Sequence, residues 1–591
     1  MADASFRFSP RPNRASEIAW QPFSPEVFAR AEAERKLICL SISAVWCHWC
    51  HVMDETTYSD EGIIRRLNSE FIPVRVDNDQ RPDVNARYNL GGWPTTAILT
   101  PRGEILTGGT YLTPEQMQSL LDQVLAYWRE HQDEVMAATA EVPKPPLHPE
   151  LTEPEPAEIE KVLNPIRQQF DRAYGGLGLQ PKFPLPDVWM LCLQHFLTAQ
   201  DAPAAGMAIR TLDAMAGSRL FDPLAGGFFR YSTTREWTIP HYEKMLEDNA
   251  QLALLYLRAY QILGDESYRQ VADAVLGWAN RTLINPSGLW GGSQDADEEY
   301  YQLDPETRQQ RPIPRVDPVV YTNANAWMIS AQLLAAALIN PATYAPSAFT
   351  ALEALWDRMW DPAVGLHHYD DGTPSLPGLL VDLAVFANAL VDGYEYSGDP
   401  VFLERARALL AWADQHLFDG TAYFDQLEDP HHQAGRLRHR QQPLNENVWM
   451  AQLLWRLGAL SDDESLQDRA EALLGALSEY ATSQGIFGAS WALLAEAIRT
   501  PLLSLTVVES EHRPGHQLRQ AAYALYSQNR IVRTVKPGTE AFRQGGYAEV
   551  PMPALYICRG TVCAAPVTTP DQIGPALQSL LQAATAPQQG G

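Results

Sequence analysis

Helical runs with closely spaced apolar residues recur between about Ala157 and Thr500, and they constrain the fold more than any other feature. Four examples are 249–264, 326–340, 402–417 and 448–460. The loops between them are rich in Gly, Asp, Pro and aromatic residues. Serial helical hairpins either stack as an open solenoid or close into a ring. Because these loops carry side chains suited to one shared pocket, we predict a closed all-α toroid over 159–500.

A proline-rich segment, 141–158, precedes the helical region. Its six prolines remove backbone donors and restrict the residues before them, so it is predicted to be an extended linker. Residues 1–140 instead alternate strands and helices, which predicts an α/β domain with a parallel-centred sheet. The predicted strands are 37–45, 71–77 and 95–101, and the predicted helices are 24–35, 51–70 and 114–136. Mixed strand and helix patterns return over 501–591 and predict a small C-terminal α/β module.

Charge and composition exclude several classes of protein. A net charge of −27 repels phosphate backbones, so no nucleic-acid partner is expected. Uncharged apolar runs are too short to span a membrane, and the N-terminus has no apolar signal region. Six cysteines in 591 residues are too few for a disulfide scaffold. A cytoplasmic location is therefore expected.

Cys47 and Cys50 form a C-x-x-C motif between a predicted buried strand and a predicted helix. A helix N-terminus lowers the pKa of the first thiol, and the two-residue spacing lets the second thiol resolve a mixed disulfide. These two cysteines are the predicted catalytic pair. Trp93 and Pro94 precede a strand, and Pro94 is a candidate cis-proline facing the thiols. The side chains expected to support the thiol site are Trp46, His48, Trp49, His51, Trp93 and Pro94.

Three other interpretations of the motif are open. With His51, the sequence also spells a haem c attachment site, which needs an exported chain. A zinc site would need a second Cys/His pair, and none lies close in sequence. The cysteines could also be buried and inert. The strand and helix around the motif favour redox chemistry, and neither a metal nor a cofactor is predicted.

Several longer blocks resemble one known family. They are SISAVWCHWCHVMDETTYSDE, GGWPTTAILTPRGEILTGGTYLTP, GGFFRYSTTREWTIPHYEKMLEDNA, GLWGGSQDADEE and YICRGTVCAAPVTTP. Together they resemble the spermatogenesis-associated, YyaL-type family of thioredoxin-domain proteins. The resemblance implies a thioredoxin-like domain fused to an (α/α)6 toroid similar to those of six-hairpin glycosidases and N-acylglucosamine 2-epimerases. Ordinary thioredoxins carry a buried acid where this chain has Ser41, so the proton of the second thiol must pass to water, His48 or His51.

Polar side chains in the toroid loops predict a second site. A glycosidase needs two carboxylates, for which Glu243 with Asp295 or Asp297 are candidates. An epimerase needs a proton donor and acceptor, for which His241 with His367 or His368 are candidates. Lys244 and Asp248 are expected four apart on one helix face, where they could equally form a structural ion pair. The predicted pocket residues are Trp237, His241, Glu243, Lys244, Asp248, Gln294, Asp295, Asp297, Asn325 and Asp382.

The other cysteines carry less information. Cys558 and Cys563 could be a second exchangeable pair, a local disulfide or, as we favour, ordinary thiols. Cys39 and Cys192 lie in apolar runs and are expected in the core.

Three functions follow from these residues. The first is a thiol–disulfide oxidoreductase acting with a protein disulfide substrate or a thiol reductant, whose toroid binds a substrate or partner. The second is a carbohydrate-active enzyme, an epimerase or a glycoside hydrolase, with a regulatory or structural thioredoxin domain and a carbohydrate ligand in its toroid. The third is a non-catalytic scaffold. Taken together, the sequence features favour an enzyme over a non-catalytic scaffold.

Overall fold

In the computed structural model, the protein consists of a thioredoxin-like domain, a helical toroid and a C-terminal α/β module. The structure describes residues 6–137, 144–150, 153–428, 433–510, 515–545, 547 and 553–585. Among them, no helix combines the length and apolarity that crossing a bilayer requires.

The N-terminal domain is a four-stranded sheet flanked by helices. Its strands are β1 (Ile38–Ser43), β2 (Ile72–Asp77), β3 (Thr95–Leu99) and β4 (Ile105–Gly109). Its helices are α1 (Pro25–Glu34), α2 (His48–Glu55), α3 (Glu61–Glu70), α4 (Pro82–Tyr88) and α5 (Pro114–Ala137). The strand order is β2-β1-β3-β4, with β1 parallel to β2 and antiparallel to β3. The sheet is therefore mixed rather than parallel-centred, and the single helix predicted over 51–70 is two helices joined by a 3-10 turn.

Six helical pairs make up the toroid. The outer helices are α6 (Pro156–Gln169), α8 (Ala202–Ala216), α10 (Glu266–Thr282), α14 (Pro341–Met359), α16 (Pro400–His416) and α18 (Glu464–Ala476). The inner helices are α7 (Pro186–Ala199), α9 (Leu246–Leu263), α13 (Thr322–Leu338), α15 (Leu380–Ser397), α17 (Leu444–Ser461) and α20 (Ala489–Ile498). Three short helices, α11 (Glu298–Tyr301), α12 (Pro305–Gln309) and α19 (Ser478–Ser483), lie in the connections. Helix α6 begins three residues before the predicted boundary, because Pro156 fits the first turn of a helix.

The inner helices close into a ring. Each contacts the next in the order α7, α9, α13, α15, α17 and α20, and α20 packs back against α7. All six therefore start at the same end of the ring, which we call the mouth. Loops at the mouth form an antiparallel sheet with the order β10-β11-β9-β8-β7 and β12 paired to β11. Its strands are β7 (Lys244–Met245), β8 (Gly291–Gln294), β9 (Val316–Tyr321), β10 (Trp360–Asp361), β11 (Gly365–Asp370) and β12 (Pro374–Pro377), and the separate pair is β5 (Tyr231–Ser232) with β6 (Pro240–His241).

One asparagine recurs at the fourth position of three inner helices. Asn447 accepts a hydrogen bond from the Tyr423 backbone N–H at 2.7 Å and donates to the carbonyls of Tyr423 and Pro443. Asn249 and Asn325 make the same three contacts with their own preceding loops. Each asparagine thus satisfies backbone groups that burial would otherwise leave unpaired.

The C-terminal module repeats the topology of the N-terminal domain. Its sheet has the order β14-β13-β15-β16, again with one parallel and two antiparallel pairs. The elements are β13 (Leu503–Val508), α21 (His516–Tyr523), β14 (Arg530–Val535), α22 (Glu540–Gln544), β15 (Ala554–Arg559), β16 (Val562–Cys563) and α23 (Ile573–Thr585). The element order is also the same, except that two helices, α2 and α3, connect the first two strands of the N-terminal domain where the C-terminal module has only α21. The predicted small α/β module is thus a second, reduced thioredoxin-like fold.

The two modules cover opposite ends of the ring. The thioredoxin-like domain contacts the mouth, for example through Arg7, which pairs with Asp317 at 2.6 Å. The C-terminal module contacts the other end, which we call the base, where Val532 N–H donates to Glu395 and Trp455 donates to Asn529. The ring is therefore closed by a folded unit at each end.

The asparagine clamp generates a stability prediction. Asn447→Ala should lower the free energy of unfolding by about 2–4 kcal/mol, because two buried backbone groups of Tyr423 lose their partner. Urea denaturation followed by circular dichroism checks this result. The same substitution at exposed Asn164 on α6 should change stability by less than about 0.5 kcal/mol. Equal midpoints for the two variants would show that the clamp is dispensable.

Candidate functional site

The cysteine pair lies where a buried strand meets a helix. Strand β1 is fully buried, and Cys47 caps the N-terminus of α2, its sulfur accepting the Cys50 N–H at 3.2 Å. The two cysteines form a disulfide. Their exposed fractions are only 4% and 2%. The cysteine pair is thus at the predicted helix start but beneath the surface.

Two tryptophans and one arginine cover the disulfide from the toroid side. Trp46 and Trp93 make an edge contact, and the Arg230 guanidinium lies 4.5 and 4.7 Å from their ring centroids. Trp46 also donates to Asp79 at 2.6 Å. The Trp93–Pro94 peptide bond is cis, as the sequence suggested, and Trp93 packs on the cysteine cluster.

Met245, immediately before α9, packs on the same apolar cluster as the two cysteines. The toroid and the thioredoxin-like domain therefore share one wall of the redox site.

The remaining thiol-site residues differ in exposure. Trp49 is 43% exposed and packs on Tyr111 with ring centroids 5.0 Å apart. His48 makes an edge contact with Trp49. Trp49 and His48 thus mark the side of the site that is open to solvent.

His51 faces the toroid. Its Nε2 lies 2.8 Å from the Val45 carbonyl, which can only accept, so Nε2 carries the proton. Its Nδ1 is then the acceptor and lies 4.0 Å from Asp295 Oδ1. Burial lowers the pKa of His51 and raises the pKa of Asp295 to about 7. The toroid thus supplies an acid beside the histidine that follows the motif.

Further acids, some buried and some half-buried, lie at the mouth. Burial raises the pKa of Glu247 to about 7 and that of Asp248 to about 6, and it also raises the pKa of Asp79. One Glu243 carboxylate oxygen is buried with no hydrogen-bond partner in the described part of the chain. Arg230 lowers the pKa of Asp248 but is outweighed by burial. This mouth therefore holds several carboxyl groups that titrate near neutral pH.

Asp382 pairs with His368, and this histidine also contacts the thioredoxin-like domain. His368 Nδ1 lies 2.9 Å from Asp382, and its Nε2 lies 2.7 Å from the Asp79 carbonyl of the thioredoxin-like domain. Burial opposes a charge on His368, but Asp382 outweighs burial and raises the pKa of the imidazole. The neighbouring His367 bonds to the Met359 carbonyl instead. His368 is thus a docking residue rather than an open proton donor.

Lys244 does not pair with Asp248. It lies in strand β7, because α9 begins only at Leu246, and its ammonium binds Asp222 at 2.7 Å and the Gly226 carbonyl. An equivalent lysine, Lys182, binds Asp171 and Gly175 in the preceding hairpin. The repeat indicates that both lysines hold loop structure, so the predicted helical ion pair is wrong.

Other predicted pocket residues also have structural contacts. Asn325 is one of the three asparagine clamps, and Asp297 caps α11 through the Tyr300 N–H. Gln294 accepts from Trp278, and Trp237 is fully buried with its indole bonded to the Tyr174 carbonyl.

His241 stacks on Tyr231 and lies 3.5 Å from Glu243. Of the ten predicted pocket residues, Glu243, Asp248, Asp295 and Asp382 belong to the acidic mouth.

A cavity of about 300 Å³ lies inside the ring, below the mouth. Its upper part is lined by Asp187, Gln251, Trp327 and Trp449, the two indole rings meeting edge to face at 5.4 Å. No sequence motif marks these four side chains. The helical period shows which side chains share a face of a helix, but not which face points into a cavity. The cavity-lining side chains are therefore identified only once the ring is closed.

The remaining cysteines are divided between core and surface. Cys558 and Cys563 face each other across β15 and β16 and form a local disulfide, so the favoured prediction of ordinary thiols is wrong. Cys39 and Cys192 are buried, which raises the pKa of each thiol to about 12.

The buried acids generate a pH prediction. The folded protein holds a proton on Glu247 more tightly than the unfolded chain does. The free energy of unfolding should therefore fall as pH rises from about 4.5 to about 7. Relative to wild type, Glu247→Gln should gain about 2 kcal/mol of stability between pH 5 and pH 8. Calorimetric melting at several pH values measures the difference, with exposed Glu404→Gln on α16 as the control. Parallel pH profiles for wild type and Glu247→Gln would contradict the raised pKa.

Comparisons with known proteins find similarity over parts of the chain. Residues 11–145 match the model of the Thioredox_DsbH family, described as a protein of unknown function, DUF255. Human spermatogenesis-associated protein 20 is 36% identical over 321 residues, covering 50% of this chain and 40% of that protein. The chain thus aligns with about two fifths of the length of this relative.

Two more distant proteins each match part of the chain. The thiol:disulfide interchange protein DsbD of Yersinia pestis (strain Pestoides F) is 26% identical over 113 residues, 18% of this chain and 19% of that protein. The cellobiose 2-epimerase structure from Bacillus thermoamylovorans has 8% identity and a TM-score of 0.45, covering 55% of this chain and 86% of that one. Residues 11–145 match the Thioredox_DsbH family model, and the resemblance of the chain to the spermatogenesis-associated family is confirmed.

Proposed function

We propose that the chain is a thiol–disulfide oxidoreductase whose reacting groups are Cys47 and Cys50. The observation that carries the proposal is the pairing of these cysteines at the N-terminus of α2, directly after a buried strand. Helix N-termini stabilise a thiolate at that position. The likeness of part of the chain to a protein named thiol:disulfide interchange protein supports the same reaction class.

The reaction proceeds by two exchanges. The Cys47 thiolate attacks a substrate disulfide, forming a mixed disulfide and releasing one substrate thiolate, which takes up a proton. Cys50 loses its proton and attacks the Cys47 sulfur, which releases the second substrate thiol. The substrate gains two electrons and the cysteine pair becomes the disulfide. A thiol reductant of the glutathione or thioredoxin class then returns the pair to the dithiol.

His51 is the proposed proton acceptor for the resolving thiol. Its Nδ1 carries a lone pair, and a lowered pKa keeps the ring neutral at physiological pH. Asp295 lies 4.0 Å away and, with a pKa of about 7, can share the proton. Asp295 of the toroid would then take the role of the buried acid that ordinary thioredoxins carry at the position of Ser41.

Burial of the pair limits its substrates. Arg230, Trp46 and Trp93 cover the sulfurs from the toroid side, and access runs past Trp49. The proposed partner is therefore a small thiol or disulfide, or an extended segment of a protein, rather than a folded surface. The cytoplasmic location stays a prediction.

A carbohydrate-active toroid is the second candidate. Its support is the internal cavity, where Trp327 and Trp449 offer ring faces beside polar side chains. Under this candidate, Asp295→Asn destroys sugar turnover while Cys47→Ser spares it. A sugar panel with neither binding nor conversion, read by NMR, would favour the scaffold hypothesis over this one.

Cysteine titration tests the redox function first. In glutathione buffers of graded potential, Cys47 and Cys50 should interconvert as one reversible pair, in the range of about −270 mV found for thioredoxin. Thiol trapping and mass spectrometry report each cysteine separately. Cys47→Ser should abolish reduction of a small disulfide substrate, while Cys192→Ser at a buried core thiol should leave it unchanged. Full activity of Cys47→Ser would end the assignment.

The contact of Arg230 with the two tryptophan rings beside the disulfide generates a second prediction. Arg230→Gln removes the cation that bridges the two tryptophan rings, so dithiothreitol should reduce the Cys47–Cys50 disulfide several-fold faster. Arg235→Gln, at a nearby arginine that pairs with Asp171 instead, serves as the control. Unchanged reduction rates in Arg230→Gln would show that another group limits access.

A further inference from the structure

The lower part of the toroid cavity differs from the upper part in charge. Arg258, Asp392 and Arg456 line it, and each is the thirteenth residue of its inner helix. Glu395, one turn further along α15, and Arg530, from the C-terminal module, complete the charged lining of the base. Three guanidinium groups therefore face two carboxylates in this part of the cavity.

The two carboxylates are engaged mainly by one arginine. Arg456 contacts Asp392 at 2.6 Å and Glu395 at 3.2 Å. The nearest carboxylate to Arg530 is Glu395, at 3.6 Å. The Arg530 side chain is only 7% exposed, and its Nη1 is buried with no hydrogen-bond partner within the described residues. A buried cationic donor without an acceptor is costly unless an anion satisfies it.

Arg258 adds a second incompletely paired cation. Its Nη1 donates to the amide oxygen of Gln261 at 2.9 Å, and its guanidinium lies 5.7 Å from the Tyr526 ring. No carboxylate of the described chain forms an ion pair with it at 4 Å or less. Burial, together with the neighbouring Arg530, lowers its pKa. Glu496, on α20, is already paired with His195 at 2.6 Å.

The middle of the cavity offers hydrogen-bonding groups. Ser330 and Gln452, each at the ninth position of its inner helix, line this level and have no hydrogen-bond partner inside the described ranges. Above them lie the indoles of Trp327 and Trp449, and the Trp327 Nε1 is also buried and unpartnered. The cavity volume of about 300 Å³ is at the lower end of that of small-molecule sites.

We propose that this cavity binds a small organic anion, with its carboxylate or phosphate group held by Arg530 and Arg258 at the base. The polar body of the ligand then lies against Ser330, Gln452 and the two indoles. Arginine suits this role because its planar donors match both carboxylate and phosphate oxygens. The C-terminal module thereby contributes a ligand-binding side chain to the toroid. The proposal does not depend on the redox function.

Calorimetric titration of the full chain tests the proposal with three probes of similar size. Glucose 6-phosphate, glucuronate and glucose share a hexose body but differ in the anionic group. At least one anion should bind at least tenfold more tightly than glucose, and the comparison of the two anions distinguishes phosphate from carboxylate. Arg530→Gln should weaken binding of that anion about 10- to 100-fold.

Two further variants separate binding from folding. Arg258→Gln should weaken the anion similarly and leaves every ion pair at the base intact. Arg533→Gln, on the same strand as Arg530 but paired with Asp462, should leave binding unchanged. Melting curves establish that each variant is folded. The proposal is overturned if neither anion binds, if glucose binds as tightly as the anions, or if folded Arg530→Gln and Arg258→Gln both retain full affinity.

Discussion

The parallel alignment of the six inner helices is the constraint on which the rest of the structure depends. Aligned helices place their partial positive ends together at the mouth and their partial negative ends together at the base. The first turns at the mouth carry acids, among them Asp187, Glu247, Asp382 and Glu446. Arg258 and Arg456 lie in the C-terminal halves of α9 and α17, toward the base, where Asp392 and Glu395 accompany them. The alignment thus sorts carboxyl groups to the first turns at the end that holds the disulfide, and arginines with their paired carboxylates to the end that holds the C-terminal module.

This sorting gives the redox pair an unusual environment for a thioredoxin-like domain. Its motif faces a wall of carboxyl groups, one arginine and Met245 from the toroid. Burial raises the pKa of Glu247 and Asp295 to about 7 and that of Asp248 to about 6, so part of the negative charge beside the cysteines is neutralised near neutral pH. The cysteine pair and these titratable carboxyl groups therefore share one enclosed volume, which neither domain would form alone.

The sequence predicted the parts of the molecule that depend on local pattern. Helical period identified the hairpins, and the strand–CxxC–helix order located Cys47 and Cys50 at a helix start. Side-chain roles that depend on distant partners were not predictable in the same way. Lys244 looked like a helical neighbour of Asp248, but its partner Asp222 lies in another loop. Arg230, His368 and Arg530 gain their roles only from contacts between residues more than a hundred positions apart in different units, and no local pattern marks such contacts.

Ring closure also has a consequence for the order in which the chain assembles. Helix α7 meets α20 through contacts such as that between Gln194 and Leu493, which are 299 positions apart. Contacts of that separation form late, whereas a thioredoxin-like domain near the start of the chain can fold as soon as it leaves the ribosome. During that interval the cysteine pair has no toroid over it. The nascent protein therefore meets cellular oxidants and reductants with its cysteine pair uncovered, and completion of the ring encloses that pair afterwards.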